Sequence, residues 1–301
     1  MKITQSNYKN IFAIRLETEK YVALVLPSEG GKIASFQYKA SGKEYLLQNP
    51  AEEYLHIGLA DDFEKGECSG FDDMFPTIDP VTVNGNDYPD HGEICRVPFS
   101  YCITENCLVL QYVSSRLGYF YQKKFSKGIN DGLHIEYEIV NQSEKPLNGL
   151  WAGHCLVRAE QGGQIIVPFE EESPIDCVYD SNKKIENPIR LSYKKGQLNT
   201  FWTKKREAQK WYFFEKCEKG MVGYQYPQGD TFVMEFDKNK LPYLGLWIDY
   251  GFVNGSHYVG LEPCTLGYDT VENAARYNQV YEIKREEPFK FSIVLYVRGE
   301  L

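Results

Sequence analysis

Long apolar runs are missing from this sequence, and so are the short signatures that mark most catalytic chemistries. No segment approaches the length needed to cross a membrane as a helix. The start, Met1-Lys2-Ile3-Thr4-Gln5-Ser6, lacks the apolar centre of a secretory leader. A cytoplasmic protein with reduced thiols is therefore expected. The eight cysteines (Cys68, Cys95, Cys102, Cys107, Cys155, Cys177, Cys217 and Cys264) contain no Cys-x-x-Cys pair, which leaves them as mostly buried free thiols. His-Glu-x-x-His, Gly-x-Ser-x-Gly, a phosphate loop and a dinucleotide fingerprint are all absent, so no cofactor and no metal is expected. Positive charge is in deficit as well. With 33 Lys and Arg against 42 Asp and Glu, the net charge of −9 argues against nucleic acid or an anionic membrane as the main partner.

Aromatic residues, in contrast, are plentiful: 23 Tyr, 17 Phe and 4 Trp suit both β-strands and sugar-stacking clefts. Strand signals dominate the chain. Ile11–Glu17, Tyr21–Leu26, Lys32–Tyr38, Leu108–Ser114 and the segments 119–125 and 133–140 are rich in Val, Ile, Tyr and Phe, and turn residues separate them. In the last of these Leu133, Ile135, Tyr137 and Ile139 alternate with His134, Glu136 and Glu138, the period-two pattern of a strand with one buried face. Helical patterns are few, residues 270–281 being the best short candidate. Many strands without crossover helices predict an all-β fold, one large antiparallel β-sandwich with few short helices. Such folds often exceed 200 residues as one unit, so residues 1–301 are expected to form a single domain. Residues 61–89, rich in Asp, Gly and Pro with scattered aromatics, read as a long ordered functional loop.

Three segments place ionisable groups beside small and aromatic residues: Tyr88-Pro89-Asp90-His91-Gly92-Glu93-Ile94-Cys95-Arg96, Leu150-Trp151-Ala152-Gly153-His154-Cys155-Leu156 and Tyr258-Val259-Gly260-Leu261-Glu262-Pro263-Cys264. On a strand, Glu262 shares a face with Gly260 and Tyr258. In the preceding strand Tyr243, Gly245, Trp247 and Asp249 would line one face while Leu244, Leu246 and Ile248 are buried on the other. An aromatic plane with carboxylate acceptors is what a pyranose ring requires. The same pattern equally fits a sheet face packed against a loop. His154, beside Ala152 and Gly153, could be a core histidine satisfied by a backbone partner. His91, in a Pro-Asp-His-Gly turn, could cap that turn. A zinc site from His91, His154 and Glu262 is conceivable, although their spacing carries no metal signature.

As a set, these segments resemble the aldose 1-epimerase (galactose mutarotase-like) superfamily. The likeness runs through Leu26-Pro27-Ser28-Glu29-Gly30-Gly31, Gly70-Phe71-Asp72-Asp73-Met74-Phe75-Pro76-Thr77, Asp90-His91-Gly92-Glu93, Trp151-Ala152-Gly153-His154 and Leu244-Gly245-Leu246-Trp247-Ile248-Asp249. It ends in Gly260-Leu261-Glu262-Pro263-Cys264-Thr265 and Gly267-Tyr268-Asp269. The resemblance implies a β-supersandwich and cofactor-free interconversion of sugar anomers. Glu262 would be general base, a protonated His154 general acid, and His91 would bind the sugar near its ring oxygen. Asp73, Arg96, Trp247, Asp249 and Tyr258 complete the expected substrate-binding set. The sequence departs from the sugar-phosphate branch by carrying Asp72 and Asp73 where that branch has phosphate-holding arginines, leaving Arg96 alone, so a neutral aldose or small oligosaccharide is expected. It also lacks the Asn-Arg pair of the main galactose mutarotase branch. Two other readings stay open: a sugar-binding protein without turnover, and a glycosidase or lyase pairing Glu262 with Asp249 or Asp73.

Overall fold

The computed structural model of the chain describes residues 1–196, 198 and 206–299. Among these residues the chain forms two large antiparallel sheets, one of twelve strands and one of eight, with two short two-stranded ribbons. The larger sheet begins with the meander Lys2–Tyr8, Ile11–Glu17, Tyr21–Leu26 and Lys32–Tyr38. It then collects strands from distant parts of the chain in the order Phe71–Met74, Ala152–Arg158, His257–Cys264, Tyr243–Tyr250, Ala208–Phe213, Pro174–Asp180 and Ile189–Ser192. The second sheet is built around Phe289–Arg298, Leu133–Asn141 and Tyr119–Lys127.

Period-two patterning places the core between the sheets. Leu133, Ile135, Tyr137 and Ile139 are buried, while the residues between them are only partly covered. They meet Phe36, Phe71, Val157, Leu246, Val259 and Leu261 of the larger sheet, and Trp151 just before its Ala152–Arg158 strand, in one apolar cluster. Four strands expected from sequence have the same bounds in the structure, and the segments at 119 and 133 run slightly longer, to Lys127 and Asn141.

Two expectations are corrected. The segment 61–89 is not one loop, because Phe71–Met74 is a strand in the middle of the larger sheet and Val81–Val83 pairs with Asn86–Tyr88. All four residues of Phe71–Met74 are buried, two of them aspartates, so neither alternation nor apolarity marks it as a strand. The helix at 270–281 shrinks to Val271–Ala275, capped by Thr270 Oγ1, which accepts from the Asn273 amide at 3.1 Å. Asn278, at φ +59°, turns the chain away soon after. Among the described residues no helix is long and apolar enough to cross a membrane.

Candidate functional site

Antiparallel pairing sets residues of neighbouring strands opposite one another, with their side chains on the same face. The pairs Ala152↔Cys264 and Cys155↔Leu261 bracket His154 and Glu262, so the register sets these two opposite each other. On one side His154 is opposite Asp72; on the other, Glu262 is opposite Gly245 and Gly245 opposite Tyr212. One row therefore crosses the outer face of the larger sheet as Asp72, His154, Glu262, Gly245, Tyr212. The neighbouring row is Leu156, Gly260, Trp247, Lys210. Over these rows lies a cleft of about 430 Å³, lined by Glu262, His154, His91, Trp247, Tyr258 and Lys210 among others. That volume is within the range of small-molecule sites.

Glycine makes the space in which the Glu262 carboxylate lies. A Cβ at Gly260 would stand 2.9 Å from Glu262 Oε1, and one at Gly245 would stand 3.3 Å from Oε2 and 2.8 Å from the Tyr212 ring. Glu262 is fully buried at the cleft floor. Its Oε2 meets the Lys210 ammonium at 2.6 Å, as an ion pair off the line of a good hydrogen bond, and Oε1 has no hydrogen-bond partner among the described residues. Burial pushes the carboxyl above its ordinary range, while Lys210 opposes that shift. Lys210 is also 3.0 Å from Asp269 Oδ1, which accepts from the Tyr212 hydroxyl at 2.8 Å. The two carboxylates, Asp269 first, more than offset desolvation and hold Lys210 charged, above the usual lysine range.

His154 is 6% exposed and its buried Nδ1 has no protein partner among the described residues. Its ring stands edge-on to His91 and to Phe63, with centroids 5.1 Å apart in each case. His91 stacks on Phe63 at 4.1 Å and is tethered through Nδ1 to Asp90 Oδ1 at 2.7 Å. Burial, then the neighbouring His91, Lys210 and Lys32, drive His154 well below the ordinary imidazole range. That direction favours the neutral ring in the free cleft and runs against the protonated His154 that the resemblance implied. Trp247 stacks on Tyr179 at 5.3 Å and forms an aromatic wall, with Tyr258 buried behind it.

Three expected binding residues are committed elsewhere. Asp73 follows Asp72 on its strand and so projects from the opposite face, into the space between the sheets. There it pairs with Lys123 at 2.9 Å and accepts from the Tyr121 and Tyr137 hydroxyls. Asp249 accepts from the amides of Phe252 and Val253 at 2.6 and 3.3 Å and fixes the turn that follows its strand. The Arg96 guanidinium donates to the carbonyls of Gly58, Asp61 and Asp90, pinning the loop beneath His91. None of the three lines the cleft, and neither aspartate faces Glu262 across it. Among the described residues no three His, Cys, Asp or Glu side chains are arranged to hold a metal.

Lys210, Asp269 and Asp79 line the cleft without having been expected there as site residues. Asp79, open to solvent at the rim yet crowded by its neighbours, is pushed up to about 6 by desolvation and then by Asp269. For Lys210 a signal exists: in Ala208-Gln209-Lys210-Trp211-Tyr212-Phe213, alternation sets a lone lysine on one face with Ala208 and Tyr212.

No family model and no curated protein matches the sequence. Solved structures do match. A galactose mutarotase-like protein from Clostridium acetobutylicum aligns over 99% of both chains at 15% identity and a TM-score of 0.71. A proposed aldose 1-epimerase from Klebsiella pneumoniae covers 98% of this chain, with 83% of its own length matched, at 15% identity and a TM-score of 0.74. A TPR-domain containing protein from Parabacteroides distasonis matches 94% of this chain at 14% identity and a TM-score of 0.70, and the present chain spans 47% of that protein. The fold is thus the galactose mutarotase-like sandwich.

Proposed function

We propose that this protein interconverts the α and β anomers of a neutral aldose without a cofactor. The observation that carries this reading is the opposition of Glu262 and His154 on neighbouring strands of one cleft floor, each with a buried polar atom that has no hydrogen-bond partner among the described residues. A sugar bound between them would supply the missing partners. Glu262, its charge balanced by Lys210, takes the proton of the C1 hydroxyl. The O–H electrons form the C1 carbonyl, the bond from C1 to the ring oxygen breaks, and that oxygen takes a proton from the His154 N–H. A neutral imidazole can serve as such a donor. Rotation about C1–C2 presents the other carbonyl face, and closure returns both protons. In this reading His91, edge-on to His154 and stacked on Phe63, holds the ring-oxygen side of the sugar, and Trp247 covers a C–H face.

The test is anomer-exchange NMR on a panel of free and phosphorylated aldoses. Wild type is expected to broaden or transfer magnetisation between anomer signals of at least one neutral aldose. Glu262→Gln and His154→Ala are expected to lose rate by a factor on the order of 10²–10⁴. Full exchange in both variants would end the assignment. Saturable sugar binding with exchange at the uncatalysed rate would leave a binding protein instead.

A further inference from the structure

We infer that the site accepts a sugar longer than one ring: a disaccharide or short oligosaccharide with a free reducing end, whose second ring lies in an annex beside the cleft. This rests on the anomer-exchange reading for the first ring. The annex holds about 200 Å³ and shares the lining residues Asp79, Val178 and Asp269 with the cleft, so the two hollows lie side by side against those residues. The junction is close to the reacting carboxylate, because Asp269 is 3.0 Å from Lys210 and Lys210 is 2.6 Å from Glu262.

The annex has the chemistry of a sugar site in its own right. Tyr277, half-buried, stacks on Tyr268 with centroids 4.1 Å apart and planes at 17°. Tyr268 is itself buried and anchored by its hydroxyl to Asp176 at 2.8 Å, so the tyrosine pair is a firm aromatic wall. Around it stand Asn187, Asn273 and Arg276, whose side chains make no hydrogen bond or ion pair among the described residues. Uncommitted amides and a guanidinium beside an aromatic face match the hydroxyls and C–H faces of a pyranose. Asp79, Asp269 and Glu186 on the same walls would repel an anionic substituent.

The experiment is calorimetric titration with glucose and galactose against maltose, cellobiose and lactose. It compares wild type, Tyr277→Ala, and the surface variants Asn273→Ala and Arg276→Ala, which touch neither Glu262 nor His154. At least one disaccharide is expected to bind about tenfold tighter than the monosaccharide at its reducing end, one or two added hydrogen bonds being enough for that. Tyr277→Ala and at least one surface variant should remove this advantage and leave monosaccharide affinity unchanged. If monosaccharides bind and exchange while no disaccharide binds tighter, the annex proposal alone falls. It also falls if the variants weaken both sugar classes equally. If no sugar binds, the reading of the cleft falls and the annex with it.

Discussion

The chemistry of the cleft turns on which groups carry charge, and single residues set this. Glu262 is buried where a carboxylate is disfavoured, and the Lys210 ammonium at 2.6 Å is the compensating charge. Because the ionised form is the base, activity should rise with pH through a limb displaced above the ordinary carboxylate range. Removing the ammonium removes the effect that lowers the Glu262 pKa, so Lys210→Met should move that limb to higher pH, and Lys210→Arg should move it back. A pH–rate profile for exchange reads both; an unmoved limb in Lys210→Met would show that the lysine only packs there. On the alkaline side no decline is expected between about pH 5 and 8, the window in which an ordinary imidazole titrates. Burial holds His154 well below the ordinary imidazole range, so it supplies no such limb. A bell with an alkaline limb at an imidazole pKa would instead mean that the bound sugar restores an imidazolium.

Strands convert sequence neighbours into residues of opposite faces, and the pair Asp72 and Asp73 shows how much this matters. Asp72 lies in the row of His154 and pairs with Lys32 at 2.7 Å, while Asp73 enters the inter-sheet core and pairs with Lys123. All four side chains are almost wholly buried. Breaking such a pair from one side leaves an uncompensated buried charge, which costs about 3–5 kcal/mol. Asp73→Ala should therefore lower stability by about that much in denaturant titration, yet leave the KM of the folded fraction unchanged. A raised KM with unchanged stability would return Asp73 to the binding set. On the His257–Cys264 strand the sensitive point is Gly260. A methyl group there would press Glu262 Oε1 from 2.9 Å and Trp247 Cβ from 3.0 Å. Gly260→Ala is expected to reduce exchange by about tenfold or more, since displacing a reacting group by about 1 Å can cost 10²-fold. Near-wild-type exchange in that variant would show that the carboxylate has more freedom than this packing allows.

Seen whole, the molecule uses one sheet face for its core and the other for its cleft, and excess acid surrounds the opening. Among the described residues Asp62, Glu64, Asp79, Asp90, Glu262 and Asp269 line the cleft against one lysine. A hexose 6-phosphate should therefore show a higher KM than the parent hexose. The gap should narrow with added salt, because the screening length falls from about 30 Å at 0.01 M to about 8 Å at 0.15 M. Equal or tighter use of the phosphorylated sugar, measured by the same exchange experiment, would contradict this account of the cleft. Alternation, turn residues and scarce helical patterns determined the all-β sandwich and the bounds of four strands, because those signals are local. Glu262, His154, His91 and Trp247 were also legible, since each stands beside small or aromatic residues within its own segment. Pairing order was not legible: it brings Phe71–Met74, Ala152–Arg158, His257–Cys264 and Ala208–Phe213 together from distant parts of the chain. Only that order gave Glu262 a lysine partner, sent Asp73 to the far face, and buried His154 where its imidazolium is disfavoured, because ion pairing and burial depend on neighbours in space.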